Sequence, residues 1–177
     1  MDAESKSSEC PQHSSEEDHT RERRNIMEAC PFCITDRDLP STRGGIVYED
    51  NFVDAYHYCQ DEGPGYLGRL LLKTKRHAPG FADLTEAEAQ AVGLALARLS
   101  SALKICTGAE KVYVEAYCEV VPHLHLLLTA RYPGLPQEYW RWNISDWPQA
   151  PSGGPDEINA LCDQLRAHLA QTVHEQH

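Results

Sequence analysis

The chain has 177 residues, nine histidines, seven cysteines and a net charge of -11. Its length suits one domain with a sizeable core. Its charge excludes a protein that grips a nucleic-acid backbone, which needs a basic face. No run is apolar enough to span a membrane and no signal-peptide pattern opens the chain, so the expected compartment is the cytoplasm. There, an odd set of cysteines reads as reduced thiols or metal ligands.

Residues 1–26 are rich in Ser, Glu and Asp and poor in apolar side chains, the composition of a disordered acidic tail. Order is expected from Met27. Residues 46–56 read as a hairpin turning at Glu49-Asp50-Asn51, residues 61–65 as a loop, and residues 67–73 as a third strand. Thr85 starts a helix, since its hydroxyl and Glu88 complete a capping box. Ala89, Val92, Leu96, Leu99 and Leu103 form that helix's apolar face, and Gly108 fits the turn past its end. Residues 111–116 and 123–129 read as two more strands. Pro155, Asp156 and Glu157 suit the start of a C-terminal helix to about residue 170, with Ile158, Leu161, Cys162, Leu165 and Leu169 as its stripe. The order of strands, helix and strands predicts an α+β fold with an antiparallel sheet of about five strands. Residues 27–135 make the domain. Residues 136–177, an aromatic loop and the last helix, pack on it. That loop carries Trp140, Trp142 and Trp147, which could line a pocket or form an interface and are read first as aromatics pinning it to the core.

Two segments carry chemistry. In Pro122-His123-Leu124-His125-Leu126-Leu127-Leu128 the histidines alternate with leucines, so strand periodicity places His123 and His125 on one face. Imidazoles in an apolar strand each need a partner, which a metal or a phosphate supplies. The second segment is Cys30-Pro31-Phe32-Cys33. It is half a zinc site, a redox pair or a chance spacing. The redox reading expects the pair at the head of a helix after a strand, and the pair instead follows an acidic tail. Zinc needs two more ligands, from His57, His77, His123, His125 or the other cysteines. A site joining the N-terminal loop to the sheet would use His77 and His123.

The Cys-x-x-Cys pair, Ile46-Val47-Tyr48-Glu49-Asp50, the strand ending in Lys75-Arg76-His77, Phe81-Ala82-Asp83-Leu84-Thr85 leading into a helix, and Pro122-His123-Leu124-His125-Leu126 follow one another in an order that resembles the histidine-triad (HIT) superfamily. The resemblance covers residues 28–132. It implies a HIT-like antiparallel sheet with one long helix after strand three, and a nucleotide or other phosphate-containing small molecule as ligand. It implies that His125 attacks the α-phosphorus, forming a nucleotidyl-histidine that water or an acceptor resolves. An imidazole that is neutral near pH 7 suits that role; the plain alternative for His125 is a half-buried histidine hydrogen-bonded to a carbonyl. The resemblance implies a structural zinc on Cys30, Cys33, His77 and His123, the set that spacing also favours. It implies ligand-lining positions at Phe32, Ile34, Tyr58, Glu119 and Leu127, and a homodimer through the helix and sheet edge.

Several of those positions depart from the family pattern. Leu127 stands where the third histidine would be and cannot donate a hydrogen bond. Cys118-Glu119-Val120-Val121 replaces a phosphate-holding Gly-Gln-Ser/Thr-Val, and Tyr58 replaces a ribose-binding aspartate. Replacement donors would come from Lys73, Arg76, Arg131 or Arg141. Two functions follow: a nucleotidyl or phosphoester hydrolase or transferase using His125, or a zinc-stabilised HIT-fold module that binds without catalysis.

Overall fold

The computed structural model of the chain describes residues 30–34, 42–59 and 63–174. The expected acidic tail lies outside the described residues. The strands are β1 (Thr42–Glu49), β2 (Val53–Tyr58), β3 (Gly65–Tyr66), β4 (Arg69–Thr74), β5 (Lys111–Glu115), β6 (His125–Arg131) and β7 (Ser152–Gly153). The helices are α1 (Pro31–Ile34, a single turn), α2 (Glu86–Thr107) and α3 (Pro155–His174). Five strands form one sheet in the order β1-β2-β4-β6-β5, every neighbouring pair antiparallel, and β3 pairs with β7 as a two-residue ribbon.

Alternation along the strands gives the sheet two different faces. Val53 and Ala55 on β2, Leu70 and Leu72 on β4, and Leu126 and Leu128 on β6 form the main core with Val92, Ala95, Leu99, Ala102 and Leu103 of α2 and Ile158, Cys162 and Leu165 of α3. Both helices therefore cover one face. The opposite face carries Tyr56, Leu71 and Leu127, with Ile46, Tyr58 and Phe32 packed on them. This second face holds the candidate site.

Local chemistry explains the element ends. Thr85 Oγ1 accepts from the Glu88 amide while the Glu88 carboxylate accepts from the Thr85 amide, and Gly108 closes α2 in the left-handed region at φ 72°. The α2 stripe differs from the expected one at its start. Ala89 is exposed, and Ala95 and Ala102 are buried, two small residues that let the helix lie close to the sheet. The hairpin turns one residue later than expected, because Asp50 Oδ1 accepts from the amides of Phe52 (2.8 Å) and Val53 (2.9 Å). The third strand of the main sheet starts at Arg69 rather than at Leu67, since Gly68 turns the chain at φ 84°. In β1 the register shifts between Arg43 and Ile46, where Gly44 and Gly45 both have positive φ. A Cβ on Gly44 would meet Cys162 Sγ at 2.5 Å, so glycine lets α3 pack there. Arg166 clamps this bulge, donating to the carbonyls of Gly44 (2.8 Å) and Ile46 (3.0 Å).

The strand expected to begin at His123 begins at His125. Pro122 has no N–H to give a ladder, and the backbone turns: the His123 amide donates to Val121 O (2.8 Å) and the Leu124 amide donates to Ala78 O. His123 and His125 therefore do not share a strand face. His123 is fully buried and His125 is half-buried.

Candidate metal centre and its neighbouring histidine

Four ligating side chains converge where α1 meets the end of β4 and the start of β6. In α1 the amides of Cys33 and Ile34 both donate to Cys30 O, at 3.0 and 3.1 Å, which folds the Cys-x-x-Cys into a two-thiol hook. His77 comes from the loop after β4, and His123 from the turn before β6. The ligating atoms of Cys30, Cys33, His77 and His123 all lie within 4.8 Å of one another. Nδ1 of His123 is 3.5 Å from both sulfurs, and Nδ1 of His77 is 3.4 Å from Cys33 Sγ. Bonds of about 2.3 Å to sulfur and 2.0–2.1 Å to nitrogen in a tetrahedron set S and N about 3.6 Å apart. Those three S–N spacings match a metal-bound set to within about 0.2 Å, and the four groups together could hold a metal ion once the wider pairs close.

The surroundings prepare it. His123 Nε2 lies 2.7 Å from Thr74 O. A carbonyl only accepts, so Nε2 carries the proton and Nδ1 turns its lone pair toward the sulfurs. Burial holds the His123 imidazole down to about 4, against the pull of the Thr74 carbonyl, so the ring is neutral, the form that ligates. The His77 loop is tied to the head of α2. Arg76 donates from Nε to Glu88 Oε1 (2.7 Å) and from Nη2 to Glu88 Oε2 (2.6 Å) and Asp83 O (2.7 Å). That fork, with the cap at Thr85, holds the Glu88 carboxyl down to about 2. Burial and the adjacent Cys30 push the Cys33 thiol up to about 11, the opposite of what a redox pair needs.

The other candidate ligand, His57, lies apart from the four. It sits on β2 with its side chain buried under the helices. The Gly68 amide donates to its Nε2 at 3.3 Å, and its Nδ1 faces Cys59 Sγ at 3.4 Å. Burial lowers its pKa to about 4. His57 is a core histidine whose two nitrogens are both used.

His125 opens β6 beside the cluster. Its Nδ1 lies 2.7 Å from His123 O, so Nδ1 carries the proton and, in the neutral ring, Nε2 keeps a lone pair. The Phe32 ring meets His125 edge-on at 5.0 Å and His123 at 5.5 Å. Opposite His125 in register stands Lys73, buried and paired with Asp54 at 3.1 Å. Burial pushes the Asp54 carboxyl up, with Lys73 opposing. Asp54 escaped the sequence reading; its signal is a carboxylate between Val53 and Ala55 in an apolar strand.

Of the expected ligand-lining positions, the structure brings Phe32, Tyr58 and Leu127 into one cluster with Tyr56 and Leu71. Leu127 faces Leu71 across the ladder, an apolar floor next to His125. Ile34 is 59% exposed at the end of α1, and Glu119 is exposed in the loop before His123; neither joins that cluster. Among the replacement donors, Lys73 pairs with Asp54, Arg76 with Glu88 and Arg131 with Glu110. Arg141 is exposed, with a positive φ of 69°. The three tryptophans differ. Trp147 packs on the satellite core of Tyr66, Leu135 and Ile144. Trp140 donates to Leu135 O and underlies Arg131. Trp142 is 67% exposed and meets Tyr117 at 5.8 Å.

No family model and no curated protein matches the chain by sequence. Its structure resembles solved structures of histidine-triad proteins. A histidine triad protein from Bradyrhizobium japonicum matches with TM-score 0.57 and 23% identity over 73% of this chain and 92% of that one. A zinc-bound histidine triad family protein from Mycobacterium smegmatis matches with TM-score 0.53 and 18% identity over 73% and 86%. A hypothetical histidine triad nucleotide-binding protein from Sulfolobus tokodaii matches with TM-score 0.54 and 18% identity over 71% and 83%. The architecture is the HIT-like fold, α+β with an antiparallel five-stranded sheet.

Proposed function

We propose that this protein is a nucleotidyl or phosphoester hydrolase or transferase of the HIT-like fold that works through His125, with a structural zinc on Cys30, Cys33, His77 and His123. The observation that carries the reading is the place of His125 directly beside the four-ligand cluster, its Nδ1 committed to His123 O at 2.7 Å and its Nε2 left with the lone pair. The zinc-bound and nucleotide-binding neighbours support the metal and the ligand class. Four protein ligands would leave such an ion no open position, so its role would be structural: through Cys30 and Cys33 it would tie α1 to the sheet, and through His123 it would fix the carbonyl that meets His125. Exposed Leu94 and Ile105 on α2 and Val114 on the edge strand β5 support the expected homodimer.

In the reaction His125 Nε2 bonds to phosphorus while the bond from phosphorus to the leaving oxygen breaks, the electron pair departing with that oxygen. Water or an acceptor hydroxyl then bonds to phosphorus, the P–N bond breaks, its electrons return to Nε2, and the incoming oxygen releases its proton to solvent. Leu127 offers the leaving group no proton. The leaving group must therefore depart as a stable anion, which favours phosphoanhydrides over phosphoramidates. Phe32 and Leu127 supply an apolar surface for the base or other organic part.

The test is trapping with diadenosine tetraphosphate labelled at the α-phosphorus. An acid-labile, base-stable labelled protein is expected from the native chain and none from His125→Ala. No label on the native chain refutes the enzyme. The second reading, a zinc-stabilised binding module, is favoured by Leu127, and it predicts saturable binding of the same compound without label.

A further inference from the structure

At the other end of the site face lies a cavity of about 340 Å³ that the reading above does not use. Tyr58 at the end of β2, Arg69 at the start of β4, Tyr66 of β3 and Trp147 of the segment after β6 line it, with Ser145 and Ser152 at its polar edge. The β3–β7 ribbon shapes it, pairing Gly65 with Gly153 and Tyr66 with Ser152, and the Leu67 amide donates to Pro151 O at 2.9 Å. Arg69 and Lys73 share a face of β4, and Lys73 is the register partner of His125. The rise per residue therefore sets the cavity about 13 Å along the strand from His125.

Arg69 is held in place but not consumed. Its guanidinium lies 5.5 Å from the Tyr66 ring centroid, and its Nε donates to Thr129 Oγ1 at 3.4 Å. Among the described residues its terminal N–H groups have no hydrogen-bond acceptor, and no carboxylate lines the cavity. In a chain of net charge -11, a cation that has no carboxylate partner among the described residues of its cavity is unusual. A planar guanidinium fork recognises carboxylate or phosphate oxygens, and the Trp and Tyr walls recognise a flat ring. The volume is that of a small-ligand site.

We propose that this cavity is a second ligand site, for a planar aromatic molecule carrying one carboxylate or phosphate, with the anion on Arg69 and the ring against Trp147. The site does not depend on His125 chemistry.

The test is ¹H–¹⁵N shift mapping of the full chain with indole-3-acetate and its neutral analogue indole-3-acetamide. Indole-3-acetate should shift the Trp147 indole N–H and the Gly65 and Gly153 amides saturably, and bind about tenfold or more tighter than the amide, as expected for a charge-assisted pair. Arg69→Gln should bring the two affinities together. Ser145→Asp, an exposed position, should weaken the acetate selectively even if Arg69→Gln fails to fold. His125→Ala should change neither, which separates this site from the catalytic reading. Absence of saturable shifts at those residues in millimolar probe, equal affinity for the two probes, or acetate binding unmoved by either charge variant overturns the proposal.

Discussion

Acidification should unfold this protein through a histidine that takes no part in its proposed chemistry. His57 is fully buried, with the Gly68 amide on Nε2 and Cys59 Sγ beside Nδ1, so protonation would break an accepted hydrogen bond and bury a charge. Its pKa falls from 6.5 in the unfolded chain to about 4 in the fold. Above pH 6.5 neither state holds the proton and the contribution is complete. Between 6.5 and 4 the unfolded chain takes up a proton that the folded one refuses, so stability falls as pH falls. Integrated over that window, the loss is about 3 kcal/mol. The assay is urea unfolding from pH 7.5 to 4.5 for the native chain and His57→Gln, whose amide cannot titrate. Acid release of a bound metal affects both proteins alike and cancels in the difference. The native chain should lose about 2–3 kcal/mol more than the variant over that range. Parallel curves would show that His57 is solvated enough to titrate normally and would refute the argument.

Other outcomes follow from the same geometry. Glu88→Gln should cost about 1–3 kcal/mol by weakening both the Arg76 fork and the cap of α2. The Glu88 contribution is complete above pH 4.5 and disappears as pH falls toward 2, so native and variant stabilities should converge in acid unfolding curves. Metal analysis of the native chain should find about one zinc per chain for a four-ligand site, and zinc at about 1,000 times its Kd should add about 4 kcal/mol in urea melts. Cys33→Ser should abolish that gain, and an unchanged zinc effect would sink the assignment. Gly68→Ala should cost about 2 kcal/mol, since Gly68 has φ 84° and its Cβ would lie 2.9 Å from Ala130 Cβ. A melting temperature within a degree of native would contradict that.

The sequence by itself determines what short-range chemistry controls. Thr85 and Glu88 cap α2 because a capping box needs only residues three apart, and Gly108 ends it because the left-handed turn needs no Cβ. The residues of the metal cluster were legible as well, since a Cys-x-x-Cys and two histidines at strand ends carry their chemistry in identity and spacing. The tertiary structure decided which histidine does what. His57 and His77 are alike as letters, but the sheet buries His57 beneath the helices and leaves His77 on a loop that Arg76 and Glu88 tie down. His123 and His125 looked like equivalent strand neighbours until Pro122 and the Ala78 carbonyl turned His123 inward. Of the second cavity the sequence offered only the tryptophan loop as possible lining, not the place or the partners. The cavity joins Tyr66, Arg69 and Trp147 through two-residue strands too short to show any periodicity, and only the closing of the chain on itself brings them together.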